Sequence, residues 1–169
     1  MNNHLYLDIT ADWDNIDSVR SKAEQFLKLN LFDSQDIFSI VMVCSELVEN
    51  AIKYGDYKNP QNKISLSIEL NDNSIIMEVK NPMGKYSNRF IKELDRTIQW
   101  IRGFQNPFEA YREKLKEVAQ KEYVAGESGL GLTRIAYEGE SILDFYLEDT
   151  NMINVTAVYQ LYNGQFKGI

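Results

Sequence analysis

The sequence predicts an α+β fold: a two-layer α/β sandwich whose mixed, mostly antiparallel sheet carries its helices on one face, with a helical-hairpin lid inserted late in the chain. Three observations predict it. Ile64-Ser65-Leu66-Ser67-Ile68-Glu69-Leu70 alternates strictly, and Ile75-Ile76-Met77-Glu78-Val79 follows after Asn71-Asp72-Asn73, the pattern of a β-hairpin. A second alternating pair, residues 142–147 and 153–159, repeats that pattern near the end of the chain. Between Ile37 and Ile52 an apolar stripe recurs at helical spacing (Ile37, Ile40, Val41, Cys44, Leu47, Val48, Ala51, Ile52), broad enough to pack against a sheet.

The remaining elements follow in order. Leu5-Tyr6-Leu7-Asp8-Ile9 reads as an opening strand. Ile16, Val19, Ala23, Phe26 and Leu27 then mark a helix, with Asp12 or Asp14 as its cap. Asp33 or Ser34 caps the broad-striped helix, and residues 56–62, with Pro60, form a loop. After the first hairpin comes a polar insert, residues 85–125, with helical patterns of its own. Ile91, Leu94, Ile98 and Ile101 form one stripe; Phe108, Tyr111, Leu115 and Val118 form another, beyond a break where Asn106 caps and Pro107 takes the first helical position. Such a hairpin buries both stripes only by packing on itself, on the sandwich or on a partner. Residues 130–137 read as a short helix, and residues 164–169 are expected to fray.

Composition narrows the function. At 169 residues, 44% hydrophobic and 25% charged, the chain reads as one soluble domain spanning residues 1–169. No apolar run is long enough to span a bilayer, and Met1-Asn2-Asn3-His4 has no signal-peptide character, so a cytoplasmic protein without membrane contact is expected. A net charge of −7 argues against nucleic-acid binding, which depends on clustered cations. One cysteine and one histidine, far apart, provide neither a zinc site nor a histidine-based triad. Cys44, among Val41, Val43, Leu47 and Val48, is expected to be a buried apolar residue.

Two motifs carry chemistry. In Cys44-Ser45-Glu46-Leu47-Val48-Glu49-Asn50-Ala51-Ile52-Lys53-Tyr54-Gly55, a carboxylate and a carboxamide four residues apart project from one face of a helix. In Gly126-Glu127-Ser128-Gly129-Leu130-Gly131-Leu132-Thr133, a glycine-spaced turn runs into another helix, a backbone able to approach a phosphate closely. In this order and separation they resemble the N box and second glycine box of the Bergerat-type (histidine-kinase-like) ATPases. Within that superfamily the chain most resembles a divergent, long-lidded branch of the anti-sigma-factor serine kinases.

The resemblance implies ATP with Mg²⁺: Asn50 as the metal ligand and Glu46 as the general base. It implies a phosphate-binding turn from Gly126, Gly129, Leu130, Gly131 and Thr133, with Lys85 and Arg134 as candidate phosphate contacts. Where the family shows Asp-x-Gly-x-Gly, this chain has Asn81-Pro82-Met83-Gly84-Lys85. Asn81 takes the place of the adenine-binding aspartate, Met83 and Lys85 stand where glycines belong, and Gly84 is out of step. An uncharged acceptor at position 81 would weaken the adenine contact by on the order of 1 kcal/mol, near tenfold in affinity.

The activity so implied is serine/threonine phosphorylation of a small STAS-like anti-anti-sigma protein, or another sigma-factor-pathway protein, in bacterial partner switching. Two rivals stand beside it: a catalytically inactive protein-binding module with weak or no ATP binding, and a detached regulator of histidine kinases. The eroded first glycine box favours the module; the paired Glu46 and Asn50 favour the kinase. The insert's two stripes suggest that one covers the adenine side while the other meets a partner or a second copy, which leaves a homodimer open.

Overall fold

The computed structural model describes residues 2–84, 87–120, 129–148 and 151–161. The expectations for Lys85, for residues 126–128 and for the fraying of residues 164–169 lie outside the described residues. The elements run β1 (His4–Ile9), a 3-10 turn (Trp13–Asn15), α1 (Ile16–Leu29), α2 (Ser34–Tyr54), β2 (Ile64–Asn71), β3 (Ser74–Pro82), α3 (Asn88–Arg102), α4 (Pro107–Gln120), α5 (Gly131–Tyr137), β4 (Ser141–Glu148) and β5 (Met152–Gln160).

The five strands form one sheet in the order β1-β2-β3-β5-β4. Each described pairing is antiparallel, as the mostly antiparallel sheet read from the sequence requires. Alternation places Ile64, Leu66, Ile68 and Leu70 of β2 beside Ile75, Met77 and Val79 of β3 on the covered face, all nearly inaccessible. Against them packs the stripe of α2: Ile40, Val43, Cys44, Leu47, Val48 and Ala51 join the same core. Burial pushes the Cys44 thiol up to about 12, which fits an inert filler and not a nucleophile.

Capping sets the position of α2. Of the two capping candidates, Asp33 does the work, accepting from the Gln35 and Asp36 amides at 2.9 Å each. One turn further in, buried Asp36 accepts a 2.5 Å hydrogen bond from the Tyr159 hydroxyl, tying the helix to β5. Asp12 caps the 3-10 turn, accepting from the Asp14 amide, before α1 begins.

The insert forms the two expected helices, and they bury unequal amounts. Leu94 and Ile98 of α3 join the main core, while Ile101 forms a small cluster with Ala110 and Ala136. Arg102 closes α3 onto β4, donating to the Leu143 carbonyl at 2.6 Å and pairing with Asp144. Asn106 caps α4 through the Phe108 amide, as the sequence suggests. The buried residue of α4 is Ala110; Phe108 and Leu115 of the expected stripe are about 40% exposed. Phe108 and Tyr111 instead pack their rings on Tyr137 of α5.

Candidate functional site

Helices α2 and α5 run antiparallel against each other, and three contacts fix their register. At one end the Ser39 hydroxyl donates to the Glu138 carbonyl at 3.2 Å. Gly139 lies so close to Val43 that an added Cβ would sit 2.3 Å from a valine methyl. Further along, Arg134 donates to Glu46 Oε1 at 2.5 Å and also pairs with Glu138 at 3.2 Å. This register delivers the glycine turn to the Glu46–Asn50 face. A Cβ added at Gly131 would meet Glu46 Oε2 at 2.7 Å and Asn50 Nδ2 at 3.8 Å, so both side chains converge on one glycine. Gly129, with φ of +61°, adopts the left-handed conformation that glycine tolerates best.

These groups border one cleft of about 250 Å³. Its phosphate-like end holds Glu46, Asn50, Gly129 and Gly131; its far end holds Asn81 with Phe90, Leu94 and Thr97 of α3. Asn81 is buried between β3 and β5, and its amide donates to the Pro82 carbonyl at 3.2 Å. Phe90 stacks on Tyr54 with ring centroids 4.3 Å apart, bringing the start of α3 against the end of α2. Ligand pockets typically run to roughly 300–1,000 Å³, so this cleft lies just below that range, with Phe90, Leu94 and Thr97 of α3 among its walls.

Glu46 is largely buried, its side chain 14% exposed. Burial raises its carboxyl pKa; Arg134 and Arg20 pull it back, while Glu49 and Glu138 push it further up. The result is a carboxylate that gains a proton more readily than a solvent-exposed one, beside a free oxygen facing the cleft. For Mg²⁺ the donor set is sparse. Among the described residues no group of three or more His, Cys, Asp or Glu side chains could hold a metal ion. Glu46 and Asn50, which converge on Gly131, are the side chains that would hold a magnesium–phosphate group at this end, the metal completing its shell from phosphates and water.

The other sequence candidates divide. Thr133 is buried and spends its hydroxyl on the Leu130 carbonyl at 2.8 Å, so it supports the turn and does not face the cleft. Gly84 sits beside Asp56, where an added Cβ would come within 2.8 Å of the Asp56 carboxylate. Met83 packs, partly buried, against the core. Arg134 lines a separate groove, on the far side of Glu46, with Arg20, Phe38, Met42 and Ser45. Lys85 and Gly126 lie outside the described residues.

The structure adds Lys114, which the sequence did not single out. From α4 its side chain enters the cleft, with Cε 3.6 Å from the position of a Cβ on Gly129, while pairing with Glu117 at 2.8 Å. On a helical wheel it looks like one more surface lysine; only the docking of α4 onto α5 brings it to the turn.

Comparison with known proteins places the fold. No family model matches the chain, and no curated protein matches it. Among solved structures it is similar to a chain of the SiaB–SiaC complex from Pseudomonas aeruginosa, with a TM-score of 0.70. The match covers 91% of this chain and 89% of that one at 18% identity, so the likeness is one of fold. No helix among the described residues is long and apolar enough to cross a membrane.

Proposed function

We propose that this chain is a Bergerat-type, ATP-dependent serine/threonine protein kinase of the anti-sigma-factor kind, acting in bacterial partner switching on a small STAS-like protein. The observation that carries this reading is the convergence of Glu46 and Asn50 on Gly131. Two motifs some 80 residues apart in sequence meet at one cleft, as a shared phosphate site requires. In this reading Asn50 binds Mg²⁺, and Glu46 polarises the acceptor hydroxyl through its free Oε2. Phosphoryl transfer asks for such positioning and charge neutralisation more than for covalent chemistry by the protein. The fold shared with a chain crystallised in a two-protein complex supports a partner-dependent role. A cytoplasmic location and a single-domain organisation belong to the same proposal.

A second reading, a protein-binding module without turnover, is favoured by the far end of the cleft. There Asn81 replaces a charged acceptor, and the apolar side chains Phe90 and Leu94 line the same cleft. Calorimetric titration with ATP, with and without Mg²⁺, separates the two. The kinase reading requires magnesium-dependent heat that Asn50→Ala abolishes. No heat and no thermal shift at millimolar MgATP would leave the binding module.

A further inference from the structure

We propose that the two cations flanking the Glu46–Asn50 face have separate tasks: Lys114 meets the phosphate chain at the glycine turn, whereas Arg134 is a positioning residue that clamps Glu46 from behind. The Lys114 half rests on the nucleotide reading above; the Arg134 half concerns the protein without ligand.

Geometry separates the two side chains. Arg134 reaches Glu46 from the groove side, and the cleft holding Asn50, Gly129 and Gly131 does not include it. Three of its five N–H groups are committed: one on a terminal nitrogen to Glu46 Oε1, and Nε with the other terminal nitrogen to Glu138 Oε2. A planar guanidinium bridging two carboxylates holds both in fixed directions. The clamp takes one Glu46 oxygen and leaves Oε2 beside Gly131, where an acceptor hydroxyl would stand. To serve as a phosphate ligand, Arg134 would have to release Glu46 and cross to the other side of it.

Lys114 is placed for that task. It lies in the cleft against Gly129, and its present partner, Glu117, is an i+3 neighbour on the same helix. Such half-exposed pairs contribute little and yield readily to a phosphate. The lysine would also couple α4 to the ligand.

The charged groups facing Glu46 define the clamp's effect. Arg20 comes from α1, Glu49 from α2, and Arg134 with Glu138 from α5; Glu93 of α3 and Lys114 of α4 face it across the cleft. Arg134 is the one in direct hydrogen-bonded contact. Removing it leaves burial and the neighbouring carboxylates less opposed, so Glu46 should hold its proton to higher pH.

The test uses Arg134→Gln and Lys114→Gln, with Arg134→Lys as a charge-keeping control should the first misfold. Carbon-13 NMR titration of labelled glutamate carboxyls, with Glu46 identified by its loss in Glu46→Gln, is run without nucleotide. Arg134→Gln should raise the Glu46 midpoint, and Arg134→Lys should raise it less; Lys114→Gln should leave it in place. Affinity for MgADP is then measured by calorimetry. Lys114→Gln should weaken it by about fivefold or more, and Arg134→Gln by less than about threefold. An unchanged Glu46 midpoint in Arg134→Gln overturns the clamp. A larger affinity loss for Arg134→Gln than for Lys114→Gln overturns the division of tasks. Absence of MgADP binding to the unmodified protein overturns the Lys114 half and the nucleotide reading together, while the NMR result still decides the clamp.

Discussion

The two ends of the cleft are built by different means. The phosphate-like end is made from neighbouring turns of α2 and the start of α5, held by Asp33, Ser39, Gly139 and Arg134 through contacts that leave little freedom. The far end takes Phe90 and Leu94 from the insert, on a helix fastened to β4 through Arg102, together with Asn81 of β3. One end joins two interlocked helices; the other depends on where α3 docks. The contrast teaches that the convergence of two motifs and the room beside them are separate questions, set by different elements.

The largest effect expected is on stability, within the insert itself. Ile98→Asp would place a carboxylate among core side chains at 2% exposure, and should cost at least about 3 kcal/mol in urea denaturation. Leu115→Asp, at a site 40% exposed on α4, should cost less than about 1 kcal/mol. Equal losses would show that α4 is as much core as α3. That result would remove the view of α4 as the insert's outward, partner-facing element.

At the cradle end, the proposed kinase reading requires Glu46→Gln to reduce phosphoryl transfer to a partner by roughly 10²-fold or more while leaving nucleotide affinity nearly unchanged. Equal transfer by mutant and parent in a radiolabelled assay would sink the role of Glu46. A smaller effect is expected from Gly131→Ala. Its methyl group would sit 2.7 Å from an oxygen of Glu46 that Arg134 does not let swing away. MgADP affinity measured by calorimetry should fall by about tenfold, with secondary structure by circular dichroism unchanged.

The smallest effect is a pH signature. The Glu46 carboxyl is raised above its ordinary 4.5, mainly by burial, so the fold prefers its protonated form. That contribution to stability is fully present below pH 4.5 and is lost as pH rises through the raised value. Glu46→Gln, which cannot ionise, should therefore melt at a slightly higher temperature than the parent at neutral pH. The two melting curves should converge below pH 4.5. A mutant that melts lower at neutral pH would mean that the Arg134 clamp outweighs burial.

What was legible in the sequence follows the same divide. Glu46 and Asn50 face one way because they are four residues apart on a helix, and the alternation of β2 and β3 fixes their buried face; both are local facts. The sequence offers Arg134 as a basic side chain able to reach a phosphate, and its pairing with Glu46 depends on α5 lying along α2, which no local pattern encodes. Lys114 was invisible for a like reason: its position depends on α4 lying along α5, which rests on Ala110 and the rings of Phe108 and Tyr111. The stripe of α4 offers Leu115 to a partner or a second copy, and the helix leaves that side chain 40% exposed.

On the proposed nucleotide reading, the phosphate end of the cleft is formed while α3 crowds the end meant for a base, and inorganic triphosphate tests that contrast without a base to accommodate. Calorimetry would compare Mg-triphosphate with MgATP on the unmodified protein and on Asn50→Ala. The account predicts that Mg-triphosphate binds within about tenfold of MgATP, because the adenine side contributes little net affinity once α3 has to be displaced. It also predicts that Asn50→Ala abolishes both. Strong binding of MgATP with no detectable heat from Mg-triphosphate would contradict it, placing the recognition at the base end.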